Sequence, residues 1–209
     1  MLRLYCIIQD IVIFFKVAKM TKKTILFGVG INDSLTPIKS RNPKWVCPYY
    51  SRWAHMIKRC YSDCFHKTSP TYKDCYVCDD WLYFSSFKLW MQKQDWQDKQ
   101  LDKDIINPLN KMYSPETCAF VSPSENHILC DAKSIRGKYP KGVCYHNQNN
   151  NFLAYITIKN KRVNLGSHKT IELAVTAYRQ AKKQALIIAS KEAIDPRVAK
   201  GFLLHAAIY

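Results

Sequence analysis

The sequence predicts an α+β fold, and three observations predict it. Between Gly142 and Leu165 three short runs alternate apolar and polar residues, with turn residues between them, and a helical pattern follows from about Ile171 to Ser190. Between Leu101 and Asn126 two short apolar runs flank a turn, and Pro123-Ser124-Glu125-Asn126 opens a helix. Upstream, Tyr49–Tyr61 and Trp81 to about Gln94 repeat large apolar residues every three to four positions. Apolar residues make up 47% of the 209, enough to build a core and to exclude a disordered chain.

Taken in order, residues 1–19 are strongly apolar but are interrupted by Arg3, Asp10, Lys16 and Lys19. An Asp at mid-bilayer costs roughly 2.5–3.5 kcal/mol, so no membrane partner is expected. Val17-Ala18-Lys19 is a poor cleavage site, and Met20-Thr21-Lys22-Lys23 reads as a protein start. The expectation is that residues 1–19 are an upstream extension or disordered; the runner-up is a short amphipathic interaction segment. Gly28 to Pro48 is loop-rich. In Tyr49–Tyr61, Trp53, Met56 and Cys60 share a face. Ser62 to Lys73 reads as a polar loop, and Asp79-Asp80 as the cap of the helix from Trp81, whose stripe of Phe84, Phe87 and Trp90-Met91 is packing. Asp195-Pro196 ends the ordered part, and Val198–Tyr209 is apolar and fits either a short helix or a docked strand.

Formal net charge is +16, from 32 basic and 16 acidic residues. Residues 137–209 carry 12 Lys/Arg against 3 Asp/Glu, so the C-terminal part is the denser. A polyanion is the partner such an excess fits, because each neutralised phosphate releases counterions. Nine cysteines without a secretory signal indicate free thiols in a reducing, cytoplasmic compartment. Cys60-x3-Cys64 and Cys75-x2-Cys78, with His66 nearby, have the residue types of a structural Zn2+ site, but the loose first pair and the apolar surroundings of Cys78 favour buried thiols. There is no glycine-rich phosphate loop and no serine-hydrolase elbow.

The segment from Gly142 has two faces by pleat alternation. Phe152, Ala154, Ile156 and Ile158 form one, suited to a helix. Leu153, Tyr155, Thr157 and Lys159 form the other, which Lys141, His146, Arg162 and Asn164 can join. Arg and Lys suit phosphate or guanine, and Asn suits adenine. Gly142-Val143, Phe152-Leu153-Ala154, Val163…Leu165-Gly166 and Ala177-Tyr178 resemble the AP2 DNA-binding domain over about 50 residues. That resemblance implies a three-stranded antiparallel sheet packed on one helix, with the sheet inserted in the major groove of double-stranded DNA. Cys144, His146, Thr157 and Asn164 stand where the plant-type pattern has Arg or Trp, which leaves base preference open.

In Leu101–Asn126, Asp102, Asn110 and Asn126 recur at intervals that could hold one divalent metal on a hairpin and a helix start. With Tyr76-Val77-Cys78-Asp79-Asp80-Trp81 upstream, this stretch resembles phage-type HNH endonucleases, many of which are homing enzymes. The resemblance implies a ββα-metal hairpin holding one Mg2+ or Mn2+ that stabilises the scissile phosphate and the leaving 3′ oxygen. It places the metal on Asp102 and Asn126 and gives Asn110 the orienting role in the loop. Lys103 stands where the family has its base-activating His. A Lys near its ordinary pKa of about 10.4 is a poor base at neutral pH, although burial can lower that pKa. Asp104, on the same strand face as Asp102, and His127, beside Asn126, are the candidates to take over; lost cleavage is the third outcome.

The expected organisation is an HNH-like nuclease domain over 20–130, a linker over 131–140, an AP2-like domain over 141–192 and a tail over 193–209. The expected function is a homing-type DNA endonuclease, acting in a host cytoplasm if phage-encoded. The alternative is a catalytically inactive DNA-binding protein or regulator on the same frame. An RNA-binding or host-protein-interacting factor is a third class.

Overall fold

The computed structural model describes residues 23–129 and 138–209. The expectations for residues 1–19 and most of the expected linker lie outside them. The described chain is a mixed α+β protein whose sheets are small and antiparallel. It packs as two compact units, one up to Gln94 and one from Asp95.

The first unit opens with two short antiparallel hairpins, β1 (Thr24–Leu26) with β2 (Gly30–Asn32) and β3 (Lys39–Arg41) with β4 (Lys44–Val46). Gly28 at φ +79° supplies the left-handed turn between β1 and β2. Helix α1 (Pro48–Tyr61) starts with Pro at its first position and buries Trp53, Met56, Ile57 and Cys60. The Trp53 indole N–H donates to the Trp81 carbonyl at 2.8 Å, so the ring is buried with its one polar group satisfied.

Two sequence expectations fail in this unit. Ser62–Lys73 is not a loop: the Ser62 hydroxyl accepts from Phe65 N–H and caps helix α2 (Asp63–Thr68), and a 3-10 turn follows at Pro70–Tyr72. Asp79-Asp80 does not cap a helix running on to Gln94. Asp79–Leu82 is a single 3-10 turn after β5 (Tyr76–Val77), Tyr83 is extended, and α3 spans Phe84–Met91. The carboxylate that serves the start of α3 is Asp33, which accepts from Ser85 N–H at 2.9 Å and from its hydroxyl at 2.6 Å. A cap arriving from 52 residues upstream leaves no local signature. Phe84, Phe87 and Met91 are buried, and Trp81 packs edge-on to Phe87.

The second unit begins with β6 (Gln100–Asp102). A connection containing β7 (Met112–Tyr113) leads to β8 (Ala119–Val121), which pairs antiparallel with β6, and helix α4 (Pro123–Leu129) follows directly. Next come β9 (Val143–His146), β10 (Asn151–Ile158) and β11 (Lys161–His168), an antiparallel sheet with β10 in the centre. Lys159 and Asn160, both at positive φ, make the two-residue β10–β11 turn, the geometry that matches strand twist. The expected end of the third strand at Leu165 is passed. The register shifts from Ala154↔Gly166 to Tyr155↔Asn164, so Leu165 is an extra residue in a bulge and pairing resumes beyond it.

Helix α5 (Ile171–Glu192), capped by Thr170, lies on the sheet. Gly142, at φ +76°, lets the Tyr178 ring approach: a Cβ there would sit 2.1 Å from Tyr178 Cδ2 and 2.6 Å from the Tyr155 carbonyl oxygen. The last segment is helix α6 (Pro196–Ala206). Asp195-Pro196 therefore begins an element and does not end the ordered part. The Asp195 carboxylate accepts from Arg197 N–H at 2.8 Å and Pro196 occupies the first helical position. Burial pushes the Asp195 carboxyl up, but its bonds from Arg197 outweigh that and hold it below its ordinary value.

One apolar core joins the hairpin, sheet and C-terminal helix. Ile105, Ala119, Val121 and Ile128 pack with Ile156, Tyr178 and Leu186, and with Val198, Phe202 and Ala206. The sequence groups the hairpin with the N-terminal helices; in the structure it shares its core with the sheet. Contacts between residues so far apart in sequence leave no trace in local periodicity.

Candidate functional site

The hairpin's local geometry starts from Asp102. One carboxylate oxygen, Oδ1, accepts the N–H of Asp104 at 2.8 Å and of Ile105 at 2.7 Å, which turns the chain and ends β6. This corrects the expected position of Asp104: strand alternation stops at Asp102, so Asp104 lies in the turn and shares no strand face with it. The other oxygen, Oδ2, accepts no hydrogen bond among the described residues. Burial raises the Asp102 carboxyl above its ordinary value, against the lowering by the two backbone N–H bonds.

Lys103 is 6% exposed. Its ammonium donates to Asp104 Oδ1 at 2.6 Å and to the Asn110 carbonyl at 2.8 Å. Asn110 faces the same loop. Its Nδ2 donates to the carbonyls of Lys103 at 2.8 Å and Met112 at 2.6 Å, and its Oδ1 accepts from Met112 N–H at 3.3 Å. Lys103 and Asn110 therefore tie the two sides of the connection together. Cys118, fully buried beneath it, has its thiol pushed up by burial and is a core residue.

Helix α4 is aimed by a reciprocal cap that the sequence reading passed over, although Ser122-x-x-Glu125 is its signature. The Ser122 N–H and hydroxyl donate to Glu125 Oε2, each at 2.7 Å, and the Ser122 hydroxyl accepts from Glu125 N–H at 3.2 Å. One residue on, Asn126 Nδ2 donates to Gln100 Oε1 across the hairpin. Gln100 lies two residues before Asp102 on β6 and so on the same strand face. The structure thus brings Asp102 and Asn126 to one side of the hairpin. His127 is exposed on α4 beside Asn126.

The oxygen donors of Asp102 and Asn126 suit a hard cation. Mg2+ is typically held by one or two carboxylates, several waters and substrate phosphate, so this small donor set fits it. A cation would also offset the cost of burying the Asp102 charge. Among the described residues no three His, Cys, Asp or Glu side chains gather to hold a metal. Of the residues weighed as a Zn2+ site and set aside in favour of buried thiols, Cys60 and Cys75 are buried, Cys78 is half-buried, Cys64 is exposed, and the His66 ring bonds the Arg59 carbonyl. A cleft of about 280 Å³ lined by Phe120, Ser122, Glu125, Glu192 and Val198 includes none of the candidate residues.

On the sheet, the register sets Arg162 opposite Thr157, Asn164 opposite Tyr155 and His146 opposite Asn151, all on the face turned away from α5. The Arg162 guanidinium stacks 3.6 Å from the Tyr155 ring centroid, which holds its planar fork in place. Asn164 Oδ1 accepts from Gly166 N–H at 2.9 Å, so the amide also builds the bulge. His146 Nδ1 is buried and has no hydrogen-bond partner among the described residues. Lys141 is half-buried at the sheet's start. Lys159 departs from expectation: it sits in the turn at positive φ, and its ammonium pairs with Glu192 at 2.8 Å. Glu192 is on α5, so the Lys159 charge turns to the helix side and leaves the outer face of the sheet.

Sequence reasoning missed the C-terminal helix as part of this site. His205 Nε2 donates to the Asp104 carbonyl at 2.9 Å, and Arg197 Nη1 donates to the Pro115 carbonyl at 3.1 Å. The one available signal was the alternation of cationic and apolar residues in 197–206, which marks a docked helix but not its target.

No protein-family model, curated protein or solved structure matches this chain.

Proposed function

We propose that this protein is a DNA endonuclease of the HNH type, hydrolysing a phosphodiester with a hard divalent cation, and that its three-stranded sheet is an AP2-like module holding double-stranded DNA. The observation that carries the reading is the β6–β8–α4 unit, in which a half-buried carboxylate ends the first strand and Asn126 of the following helix reaches back to that strand. On this reading Asp102 and Asn126 would hold the cation, Mg2+ or Mn2+, which would supply charge stabilisation at the phosphate and at the leaving 3′ oxygen. Asn110 fixes the loop. Lys103 is committed to Asp104 and to the Asn110 carbonyl, so it neutralises and holds. Asp104, with one oxygen bound to that ammonium, is a weakened acceptor. The exposed imidazole of His127 is the group that takes the proton from water. The stacked Arg162, with Lys141, Thr157 and Asn164, meets the duplex, and the +16 charge draws it in.

A second reading, a DNA-binding protein that does not cleave, is favoured by Lys103, which buries an ion-paired ammonium where a base would stand.

Nicking of supercoiled plasmid separates the two. The nuclease reading expects nicking in Mg2+ or Mn2+, loss with EDTA, and a loss of roughly 100-fold or more in Asp102→Asn with duplex binding retained. The Asn keeps an oxygen for the Asp104 and Ile105 N–H groups and removes only the charge. Absence of nicking in wild type, together with salt-sensitive duplex binding that Arg162→Ala weakens by about 1–2 kcal/mol, selects the binder.

A further inference from the structure

The connection from Lys103 to Cys118 is long for a hairpin, and a loop of that length needs something outside it to fix its shape. Helix α6 supplies three contacts at a spacing of four residues, so all three lie on one stripe. Arg197 reaches the Pro115 carbonyl near the far end of the connection. Gly201 meets its near end: a Cβ there would lie 2.0 Å from the Ile105 carbonyl oxygen, so helix and loop backbones touch. One turn further, His205 Nε2 donates to the Asp104 carbonyl at 2.9 Å.

That last bond falls on a particular peptide group. The Asp104 carbonyl and the Ile105 N–H belong to one planar unit. Its N–H donates to Asp102 Oδ1 at 2.7 Å, and its C=O accepts from His205. The plane is pinned at both ends, and each bond polarises the other. Rotation of this plane would take away one of the two N–H bonds to Asp102 Oδ1, leaving the carboxylate held by the Asp104 N–H alone. Because the acceptor is a carbonyl, the His205 proton is on Nε2.

We propose that α6 braces the turn that orients Asp102, with His205 as a positioning residue acting through the Asp104–Ile105 peptide. Only the kinetic arm of its test rests on the nuclease reading. The pair of variants is His205→Phe, which fills the space without a donor, and His205→Gln, whose amide can donate to the same carbonyl. Hydrogen exchange of the Ile105 amide in the full chain is the first readout. Exchange roughly fivefold faster in the Phe variant and returned toward wild type in the Gln variant is the expected result. Plasmid nicking is the second, with kcat lowered by a similar factor in the Phe variant, KM for DNA unchanged, and kcat rescued by Gln. Unchanged Ile105 exchange in the Phe variant overturns the proposal, as does equal acceleration in both variants, which would make the contact mere packing. Should wild type not nick, the exchange result still decides the brace, while the nuclease reading falls on its own.

Discussion

The hairpin around Asp102 and the sheet around Tyr155 use their polar side chains in opposite ways. In the hairpin they turn inward. Asp102, Lys103 and Asn110 spend most of their hydrogen bonds on the backbone of one loop, so the candidate site residues also build the local structure. In the sheet the division is clean. Val143, Ala154 and Ile156 face the helix, and Arg162, Thr157 and Asn164 lie on the other side. In the first region a substitution disturbs geometry and chemistry together unless, like Asp102→Asn, it keeps the hydrogen-bonding oxygen. In the second, a side chain on the outer face can be changed while the fold stands, provided the buried face is intact.

The largest expected effect breaks the sheet from its buried side. Gly142→Ala adds a Cβ 2.1 Å from the Tyr178 ring and 2.6 Å from the Tyr155 carbonyl oxygen, at a positive φ that L side chains rarely adopt. Overpacking and the left-handed backbone together cost about 3 kcal/mol or more. Urea unfolding should register that loss, and on the proposed DNA-binding reading duplex binding should fall with it. A variant within about 0.5 kcal/mol of wild type would mean the contact between Gly142 and α5 is not what holds the sheet.

The second sharpens the contrast through pH. Asp102 is a half-buried carboxyl whose folded pKa is raised by partial burial, so the native state keeps a proton that the unfolded chain releases at about 3.9. Wild-type stability therefore falls as pH rises from the unfolded value through the raised folded one, and this contribution is level above it. Asp102→Asn removes the ionisation and keeps the turn-capping oxygen. Its stability relative to wild type should grow across that window and then stay constant, while any nicking disappears. Urea midpoints from about pH 3 to pH 7 test this, and parallel curves for the two proteins would sink it. On the outer face of the sheet no comparable trade between stability and charge is expected.

The sequence made some of this legible and hid the rest for identifiable reasons. The alternation of Phe152–Ile158 and the turn at Lys159-Asn160 are local signals, and they place the central strand and its pairing to within a residue or two. The run of small residues in α5 is local in the same way. The bulge at Leu165 was hidden because the change of face it causes falls on Gly166, Ser167 and His168, which mark neither face as apolar. Asp104 was misplaced because two-residue alternation assumes that a strand continues, whereas Asp102 ends it by taking the next backbone N–H groups. The Asp33–Ser85 cap and the His205–Asp104 contact span 52 and 101 residues, beyond any window in which periodicity can be counted. In the site, residue types were readable and partnerships were not. Lys103 could be recognised as an odd residue for its position, but its bonds to Asp104 and Asn110 exist only in the folded loop.

The smallest expected effect lies in an exposed ion pair at the end of the sheet. Lys159 pairs with Glu192 at 2.8 Å, and both side chains are more than half exposed. Exposed pairs of this kind contribute little, because water screens the attraction and two long side chains must be ordered to make it. Lys159→Ala should therefore change stability by less than about 0.5 kcal/mol. Its effect on DNA binding separates two placements of the charge. A lysine on the groove face would contact phosphate, and its loss would lower the salt slope of binding by nearly one unit. A lysine held to α5 leaves that slope almost unchanged, while Arg162→Ala on the outer face lowers it. Titrating duplex binding against salt for the two variants distinguishes these outcomes, and equal slopes for both would return Lys159 to the groove.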